Sequence, residues 1–270
     1  MTTYKAIALD IDGTLTNTKK EVTPRTKEAV SSAMDAGKVV IVASGRPTAG
    51  IRGISDTLKL EEKGGYILAF NGARIMNCKT GEVIYQNVLP MEMIPVLYKE
   101  AVEHNVSIIT YEGDDVICGC NHDKYVDLEA KINNIKVHDV DNFDQYVTFD
   151  VNKCLMTGEP EKLALLEKEM QEKYGDKLSI YRSEPFFLEI MPMNVDKANS
   201  LAHLLEHLGL KREELIAVGD GFNDLSMIKY AGLGVAMSNA QEIVKENADK
   251  VTKSNEEDGV AYIIEEYLTA

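Results

Sequence analysis

Short apolar runs alternate along the chain with segments whose apolar residues follow the helical period of about 3.6 residues. Apolar runs rich in β-branched residues are typical of strands buried on both faces of a parallel sheet. Four such runs occupy residues 6–9, 39–43, 66–70 and 215–218. A helix is predicted to begin at Thr23-Pro24 and to end near Gly37, because an apolar stripe lies between these signals. The pattern predicts an α/β fold with a Rossmann-like parallel-sheet core.

The pattern changes after about residue 83. Two short strands flank the turn Gly113-Asp114-Asp115, an amphipathic helix begins at Pro160, and buried-type strands return only near the C-terminus. Strands joined by short turns, together with amphipathic helices, are typical of an independent α+β unit of about 100 residues. We therefore expect a Rossmann-like core formed by residues 1–82 and 190–270, interrupted by an inserted α+β cap domain at residues 83–189.

Polar side chains follow each of the four predicted core strands. They are Asp10 and Asp12 after the first, Ser44, Gly45 and Arg46 after the second, Asn71 after the third, and Asp220, Asn223 and Asp224 after the fourth. Because the carboxyl ends of parallel strands share one edge of a sheet, these groups are expected to converge there although they are distant in sequence. Lys197, at the head of an amphipathic helix, is the cation expected to join them.

Several carboxylates gathered at one edge need a positive partner. Two unit charges about 4 Å apart repel by on the order of 4 kcal/mol at an effective dielectric constant of about 20. A set of oxygen ligands with few carboxylates suits Mg²⁺, which keeps some of its waters and also binds substrate phosphate. The strand ends therefore predict a magnesium site beside the mobile charge of Lys197.

Simpler interpretations of these strand ends remain open. The ligand positions of an EF-hand loop would be filled by Asp10, Asp12, Thr14, Thr16, Thr18 and Glu21. Leu15 replaces the required glycine and a strand precedes the loop, which argues against calcium. A polar surface turn is the other interpretation of this stretch. Ser44-Gly45 likewise fits either a phosphate-binding turn or an ordinary turn before a helix.

Cysteine and histidine spacing predicts no further site. The cysteines contain no C-x-x-C pair and are expected to be reduced packing residues; they are Cys78, Cys118, Cys120 and Cys154. Three histidines in the insertion have no ligand spacing and are expected to be surface or packing residues; they are His104, His122 and His138. An H-x-x-E-H pattern at residues 203–207 lies opposite the apolar stripe of its helix, which predicts a solvated face rather than a zinc site.

Net charge limits the partners. The 270 residues include 44 acidic and 29 basic side chains, for a formal charge of -15. This excess argues against broad binding to nucleic acid or an anionic membrane, since both require a positive field. It allows a small phosphorylated substrate held by a few local cations. We expect no obligate protein partner, and the absence of a signal-like or membrane-spanning apolar segment predicts a cytoplasmic protein.

The motifs resemble those of the haloacid dehalogenase superfamily of phosphotransferases. The resemblance rests on Asp10-Ile11-Asp12-Gly13-Thr14, Ser44-Gly45-Arg46, Lys197 and Gly219-Asp220-Gly221-Phe222-Asn223-Asp224, in the order that the family shows. The large insertion between the second and third motifs resembles the capped, Cof-type branch, which includes many sugar-phosphate phosphatases. One departure is Ala198, which follows Lys197 where these enzymes commonly have glycine.

The resemblance implies a role for each motif residue. Asp10 is implied to be the nucleophile that forms an aspartyl-phosphate, and Asp12 the general acid and later base. Mg²⁺ would be bound by Asp10, the backbone carbonyl of Asp12, and Asp220, with Asp224 supporting the metal. The residues implied to hold the phosphoryl group are Ser44, Gly45, Lys197 and Asn223. Arg46 and Asn71 are candidates for substrate contact.

The predicted function is a Mg²⁺-dependent phosphomonoester hydrolase that acts on small phosphorylated metabolites, sugar phosphates above all. A sugar phosphomutase with the same nucleophile is one alternative, because the same residues could return the phosphoryl group to a sugar. A non-catalytic phosphometabolite-binding protein is another.

Overall fold

The structure, a computed structural model, describes residues 3–269. Within this range the strands are β1 (Ala6–Leu9), β2 (Val39–Ala43), β3 (Tyr66–Ala69), β4 (Arg74–Asn77), β5 (Val83–Gln86), β6 (Ser107–Glu112), β7 (Asp115–Cys120), β8 (Lys136–Asp139), β9 (Cys154–Thr157), β10 (Leu178–Glu184), β11 (Phe187–Pro192), β12 (Leu215–Gly219), β13 (Leu233–Ala236) and β14 (Lys250–Val251). The α-helices of the same range are α1 (Pro24–Asp35), α2 (Thr48–Leu58), α3 (Leu60–Lys63), α4 (Met93–Glu103), α5 (Lys124–Asn133), α6 (Phe143–Tyr146), α7 (Pro160–Tyr174), α8 (Lys197–Leu208), α9 (Leu225–Tyr230), α10 (Glu242–Glu246) and α11 (Gly259–Tyr267).

The chain divides into two compact units. The first holds the chain up to Gly45, Ile51–Tyr85 and the chain from Asp196 onward. The second holds Arg46–Gly50 and Gln86–Val195, so that its bounds are offset by a few residues from the predicted cap range of 83–189. None of the helices within residues 3–269 is long and apolar enough to cross a membrane.

The first unit is built on a mainly parallel sheet with β1 near its centre. The strand order is β14-β13-β12-β1-β2-β3-β4-β5. The pairs from β14 through to β3 are parallel, and β4 runs antiparallel to β3. Leu9 lies opposite Val42 on one side and Val218 on the other, so three strands end level with one another. The four predicted buried strands and their shared edge are confirmed.

Helices of the first unit form where the sequence signals predict them. Thr23 caps α1 by accepting a hydrogen bond from the N–H of Thr26, and Pro24 occupies the first turn, where its missing N–H has no cost. The buried stripe of α8 contributes Leu201, Leu204 and Leu205 to a core cluster with the sheet. The α/β fold class is therefore confirmed.

The second unit is built on a separate mixed sheet. Its strand order is β10-β11-β9-β6-β7-β8, and the pairs are antiparallel except for β7 and β8. One apolar cluster of this unit includes Leu97 of α4 and Leu163 of α7. A second cluster includes Val126 of α5 and Cys118 of β7. The strand β8 escaped prediction because its residues are mostly polar and exposed, and only pairing with β7 defines it.

Candidate active site

Three carboxylates meet where β1 and β12 end. Asp10 directly follows β1, and its N–H donates to the carbonyl of Val218 on β12 at 3.0 Å. Asp220 and Asp224 follow β12, and one carboxylate oxygen from each of the three aspartates lies within 4.8 Å of the others. Asp10 and Asp224 are buried, with residue exposures of 6% and 0%. Parallel pairing of the two strands therefore brings together groups more than 200 residues apart.

A buried ammonium lies among these carboxylates. Lys197 Nζ donates to Asp10 Oδ1 at 2.7 Å, to Asp224 Oδ1 at 2.6 Å and to the carbonyl of Ala43 at 3.0 Å. The side chain is wholly buried, and a lysine is rarely so unless its charge is paired. Because Lys197 is the first residue of α8, the helix delivers the ammonium to the end of the sheet.

The helix start tolerates the departure at position 198. Asp196 caps α8 by accepting a hydrogen bond from the N–H of Asn199 at 3.0 Å. This cap satisfies one of the unpaired N–H groups at the first turn. Alanine is the best helix former, so Ala198 fits the helix that positions Lys197.

Asp224 is held by hydrogen bonds at both of its oxygens. Its Oδ2 accepts from the N–H groups of Asp220 and Gly221 at 3.0 and 2.9 Å, while Oδ1 faces Lys197. The short 3-10 turn Phe222–Asp224 folds the carboxylate back over its own loop. Asp224 thus orients both the loop that carries Asp220 and the ammonium.

The loop after β1 supports Asp220. Gly13 has a φ of 86°, a conformation that favours glycine. A Cβ at this position would overlap the Asp220 carboxylate. Thr14 Oγ1 donates to Asp220 Oδ1 at 2.8 Å. The Gly13-Thr14 pair therefore gives Asp220 both the space and the hydrogen bond that hold its carboxylate beside Asp10.

Burial and mutual repulsion shift the protonation of the cluster. Burial, followed by the charge of Asp224, raises the pKa of Asp10 to about 8, against the opposing effect of Lys197. The same two causes raise the pKa of Asp220 to about 6. Burial alone would lower the pKa of Lys197, but the Asp10 and Asp224 carboxylates outweigh it and raise that pKa.

The donor set fits a divalent cation. One ammonium among three carboxylates leaves two negative charges uncompensated when all three are ionised. Burial first, and then this excess of negative charge, raises the pKa values of Asp10 and Asp220. Clustered carboxylate oxygens are ligands of Mg²⁺. The acidic cluster Asp10, Asp220 and Asp224 is therefore a possible metal site by charge and by ligand type.

Asp12 faces a different environment from Asp10. Its side chain is 38% exposed and pairs with Lys20 Nζ at 2.8 Å. Lys20 adopts a left-handed φ of 62° in the turn that follows. Sequence reasoning missed Lys20, because a lysine eight residues along an exposed loop carries no pattern that links it to Asp12.

The remaining predicted residues divide between the units. Ser44 is buried at the end of β2, and its carbonyl accepts from the N–H of Asn71 at 2.9 Å. Asn223 Nδ2 donates to Asn71 Oδ1 at 3.2 Å, and the Asn71 amide lies against Gly45. These four residues form one polar group within the first unit. Arg46 belongs to the second unit, where its guanidinium donates to the carbonyl of Gly50 at 3.4 Å.

Comparison with known proteins decides the family. The sequence profile of the haloacid dehalogenase-like hydrolases matches residues 7–264, nearly the whole chain. The chain belongs to the haloacid dehalogenase-like hydrolases. The predicted family is thus confirmed over both units.

This haloacid dehalogenase-like hydrolase is similar to three known proteins over nearly its whole length. The chain is 32% identical to the Bacillus subtilis 5-amino-6-(5-phospho-D-ribitylamino)uracil phosphatase YcsE, covering 98% of this chain and 96% of the relative. A haloacid dehalogenase-like hydrolase from Bacteroides thetaiotaomicron shares 48% identity and a TM-score of 0.94 over 97% of this chain and 99% of that one. A sugar phosphatase of haloacid dehalogenase subclass IIB shares 28% identity and a TM-score of 0.82, over 98% and 100% of the two chains.

This haloacid dehalogenase-like hydrolase is therefore a phosphatase, a phosphoric monoester hydrolase that acts on phosphorylated metabolites. The parallel core and the inserted mixed sheet match the architecture of subclass IIB. The H-x-x-E-H pattern of α8 lies on an exposed face, and His203 stacks on Tyr85 with ring centroids 4.4 Å apart. The predicted solvated face of this pattern is thus confirmed.

Proposed function

We propose that this phosphatase hydrolyses sugar phosphates through an aspartyl-phosphate on Asp10, with Mg²⁺ as its cofactor. The observation that carries the proposal is the buried Lys197 ammonium, which contacts Asp10 and Asp224 at once. A carboxylate attacks a phosphate dianion only where cations screen the approach. Lys197 supplies one such charge beside the proposed nucleophile. Because its ammonium contacts Asp10 Oδ1, the other carboxylate oxygen, Oδ2, is the proposed attacking atom.

The residues that would hold Mg²⁺ are Asp10, Asp220 and the backbone carbonyl of Asp12, with Asp224 supporting them. When bound, the ion neutralises charge on the transferring phosphoryl group. Asp224 acts through its hydrogen bonds to the Asp220 loop and through its contact with Lys197. Thr14 orients the Asp220 carboxylate by donating a hydrogen bond to its Oδ1.

The protein residues then divide the reaction into two steps. Asp10 Oδ2 forms a bond to phosphorus while the bond from phosphorus to the ester oxygen breaks, and Asp12 gives its proton to the leaving alkoxide. In the second step water attacks the phosphorus of the aspartyl-phosphate and gives a proton to the Asp12 carboxylate. The bond between phosphorus and Asp10 breaks, and orthophosphate is released. Asp12 suits this exchange because its side chain is partly exposed and can reach solvent.

The phosphoryl oxygens are proposed to bind Ser44, Gly45, Lys197 and Asn223. The contact of Asn223 with Asn71, and of Asn71 with Ser44, supports a single polar group around the phosphate. Asn71 and Arg46 are proposed to contact the rest of the substrate. The sugar-phosphate proposal is supported by the subclass IIB relative, whereas the Bacillus subtilis relative is named for a ribitylaminouracil phosphate.

Orthophosphate release from a substrate panel tests the proposal. The panel contains hexose and pentose phosphates, nucleotides, pyridoxal phosphate and flavin mononucleotide, each with Mg²⁺ and with a chelator. We expect the highest kcat/KM for a sugar phosphate and loss of turnover with the chelator. Isomerised sugar without free phosphate would favour the phosphomutase alternative. Full turnover with the chelator would contradict the metal site.

Mg²⁺ should stabilise the protein more as the pH rises. Without metal, the folded state holds the Asp10 proton up to about pH 8, against 3.8 for the ordinary carboxyl. The folded state therefore binds more protons than the unfolded state in that interval, and this contribution to stability is lost as the pH rises through about 8. Mg²⁺ requires the ionised carboxylates, so its stabilising effect grows in the same direction.

Differential scanning fluorimetry at about pH 5 and about pH 8.5, with and without Mg²⁺, measures this dependence across the raised pKa of Asp10. We expect a clearly larger Mg²⁺-induced rise in Tm at the higher pH. The Asp220→Asn variant serves as the comparison and should lose most of that rise. An equal rise at both pH values would argue that Mg²⁺ binds elsewhere.

Replacing Thr14 by valine should weaken metal binding while preserving side-chain shape. The change removes the hydrogen bond from Thr14 Oγ1 to Asp220 Oδ1. Loss of an orienting contact to a metal ligand typically costs about 10- to 100-fold in metal affinity or activity. The Mg²⁺ concentration for half-maximal phosphate release should therefore rise. Thr57→Val, which removes an exposed hydrogen bond within α2, is the matched control and should leave it unchanged.

A further inference from the structure

A second cluster of ligand-type side chains lies in the second unit. One ligand atom from each of Cys118, His122 and Asp139 lies within 4.8 Å of the other two. His122 Nδ1 is 2.7 Å from Asp139 Oδ1, and His122 Nε2 is 3.1 Å from Asp127 Oδ1. The cluster thus combines sulfur, nitrogen and oxygen ligands, unlike the all-carboxylate cluster of the first unit.

The fold of the second unit brings these residues together. Cys118 on β7 and Asp139 at the end of β8 are direct partners in the parallel ladder. Paired residues of adjacent strands project to the same face of a sheet. His122 follows the left-handed Asn121, which turns the chain back after β7 toward α5. Strand register and one turn therefore bring three side chains together, although their spacing in the sequence matches no metal-binding motif.

Asp127 completes the arrangement from the first turn of α5. Its contact with His122 Nε2 lets that nitrogen keep a proton, so that Nδ1 can bind a metal. Metal-binding histidines almost always donate their other ring N–H to a carboxylate, a carbonyl or water. Within residues 3–269, neither Asp127 nor Asp139 is paired with a lysine or an arginine. The two carboxylates thus have no competing cation beyond His122.

In another cluster of the same unit, a lysine already pairs with the carboxylates. Glu100, His104 and Glu169 also place ligand atoms within 4.8 Å of one another. The ammonium of Lys173 already pairs with Glu100 at 3.1 Å and with Glu169 at 2.7 Å. A lysine at the centre of the carboxylates supplies the positive charge that a metal would otherwise bring.

The Cys118 thiol does not fit a nucleophile. Its residue exposure is only 1%. Burial, together with the neighbouring Asp139 carboxylate, raises the pKa of Cys118 to about 12. Reactive cysteines lie in exposed, electropositive surroundings, and these surroundings are buried and acidic.

We propose that Cys118, His122 and Asp139 form a zinc site in the second unit, with Asp127 positioning the imidazole. Sulfur, nitrogen and oxygen ligands in a set of three suit Zn²⁺, and water completes the four-coordinate shell. His122 and Asp139 are partly exposed, so the ion has a path from solvent. On binding, the Cys118 thiol and the His122 Nδ1–H that faces Asp139 each lose a proton to solvent, and the freed sulfur, nitrogen and carboxylate oxygen coordinate the metal.

Cobalt titration of the full-length protein tests this site. Co²⁺ occupies zinc sites and gives a sulfur-to-metal charge-transfer absorption in the near-ultraviolet only when a thiolate is a ligand. The titration is run in excess Mg²⁺, which fills oxygen-only sites without competing for sulfur. We expect the band to appear with one equivalent of Co²⁺ and to be displaced by Zn²⁺. No charge-transfer band, or saturation far from one equivalent, would overturn the proposal.

Variants locate the ligands. Cys118→Ser and the exposed His122→Ala should each abolish the band, and Asp127→Asn should weaken Zn²⁺ binding by about 10- to 100-fold. Cys120→Ser and His138→Gln are the matched controls, because Cys120 faces the Val106 carbonyl and His138 faces Asp115. Loss of the band in either control but not in Cys118→Ser would overturn the assignment. Retained phosphate release and circular dichroism verify that each variant is folded.

Discussion

The Asp10→Asn variant is expected to lose phosphate release almost completely. An amide oxygen cannot form the acyl-phosphate, so the leaving group has no covalent acceptor. Loss of a covalent nucleophile costs on the order of 10⁴-fold or more in kcat. The substitution keeps the shape of the side chain, and Lys197 keeps its pairing with Asp224. Steady-state orthophosphate release, with substrate and Mg²⁺ saturating, measures the effect.

The matched control is Asp176→Asn, which makes the same chemical change in an exposed turn of the second unit. It should retain the activity of the unaltered protein. Trapping with radiolabelled phosphoester should label the unaltered protein and Asp176→Asn but not Asp10→Asn. A rate of phosphate release by Asp10→Asn within tenfold of that of the unaltered protein would contradict the aspartyl-phosphate mechanism.

The Lys197→Met variant is expected to lose both activity and stability. Methionine fills a similar volume, but it leaves Asp10 and Asp224 without the ammonium that both contact. Removing one partner of a buried ion pair costs about 3–5 kcal/mol in the free energy of unfolding. At this chain length that corresponds to a fall of roughly 10 °C in Tm. Thermal unfolding and phosphate release measure the two losses.

A double variant separates stability from catalysis. Lys197→Met combined with Asp224→Asn removes one of the unpaired charges, so Tm should partly recover. Activity should not recover, since the cation beside Asp10 is still missing. The exposed Lys229→Met on α9 is the matched control and should change neither quantity. An active, stable Lys197→Met variant would remove the observation on which the proposed function depends.

The core strands were predictable because they are buried on both faces. Residues of β1 and β12 have no solvent-exposed side to alternate with, so their apolar runs are uninterrupted. The same runs place Asp10 and Asp220 directly after a strand, where parallel topology leaves little choice about the edge they occupy. Elements with polar composition, such as β8, gave no such signal.

Side-chain partners were far less predictable. Lys197 was expected among the carboxylates, yet its simultaneous contact with Asp10, Asp224 and the carbonyl of Ala43 depends on how α8 packs at the sheet end. Lys20 was not anticipated at all. The pairing of His122 with two aspartates was also missed, because residues from β7, α5 and β8 meet only through strand register.

The sequence alone determined the α/β class, the insertion, the family and the acidic character of the strand ends, since each is set by local pattern or by motif order. Only the tertiary structure decided which oxygens share Lys197, how Gly13 and Thr14 make room for Asp220, and that Cys118 faces His122. The physical reason is the distance along the chain over which each effect acts. Burial patterns and turn preferences act over a few neighbouring residues, whereas a pair of charged groups depends on distances that exist only after strands and helices have packed.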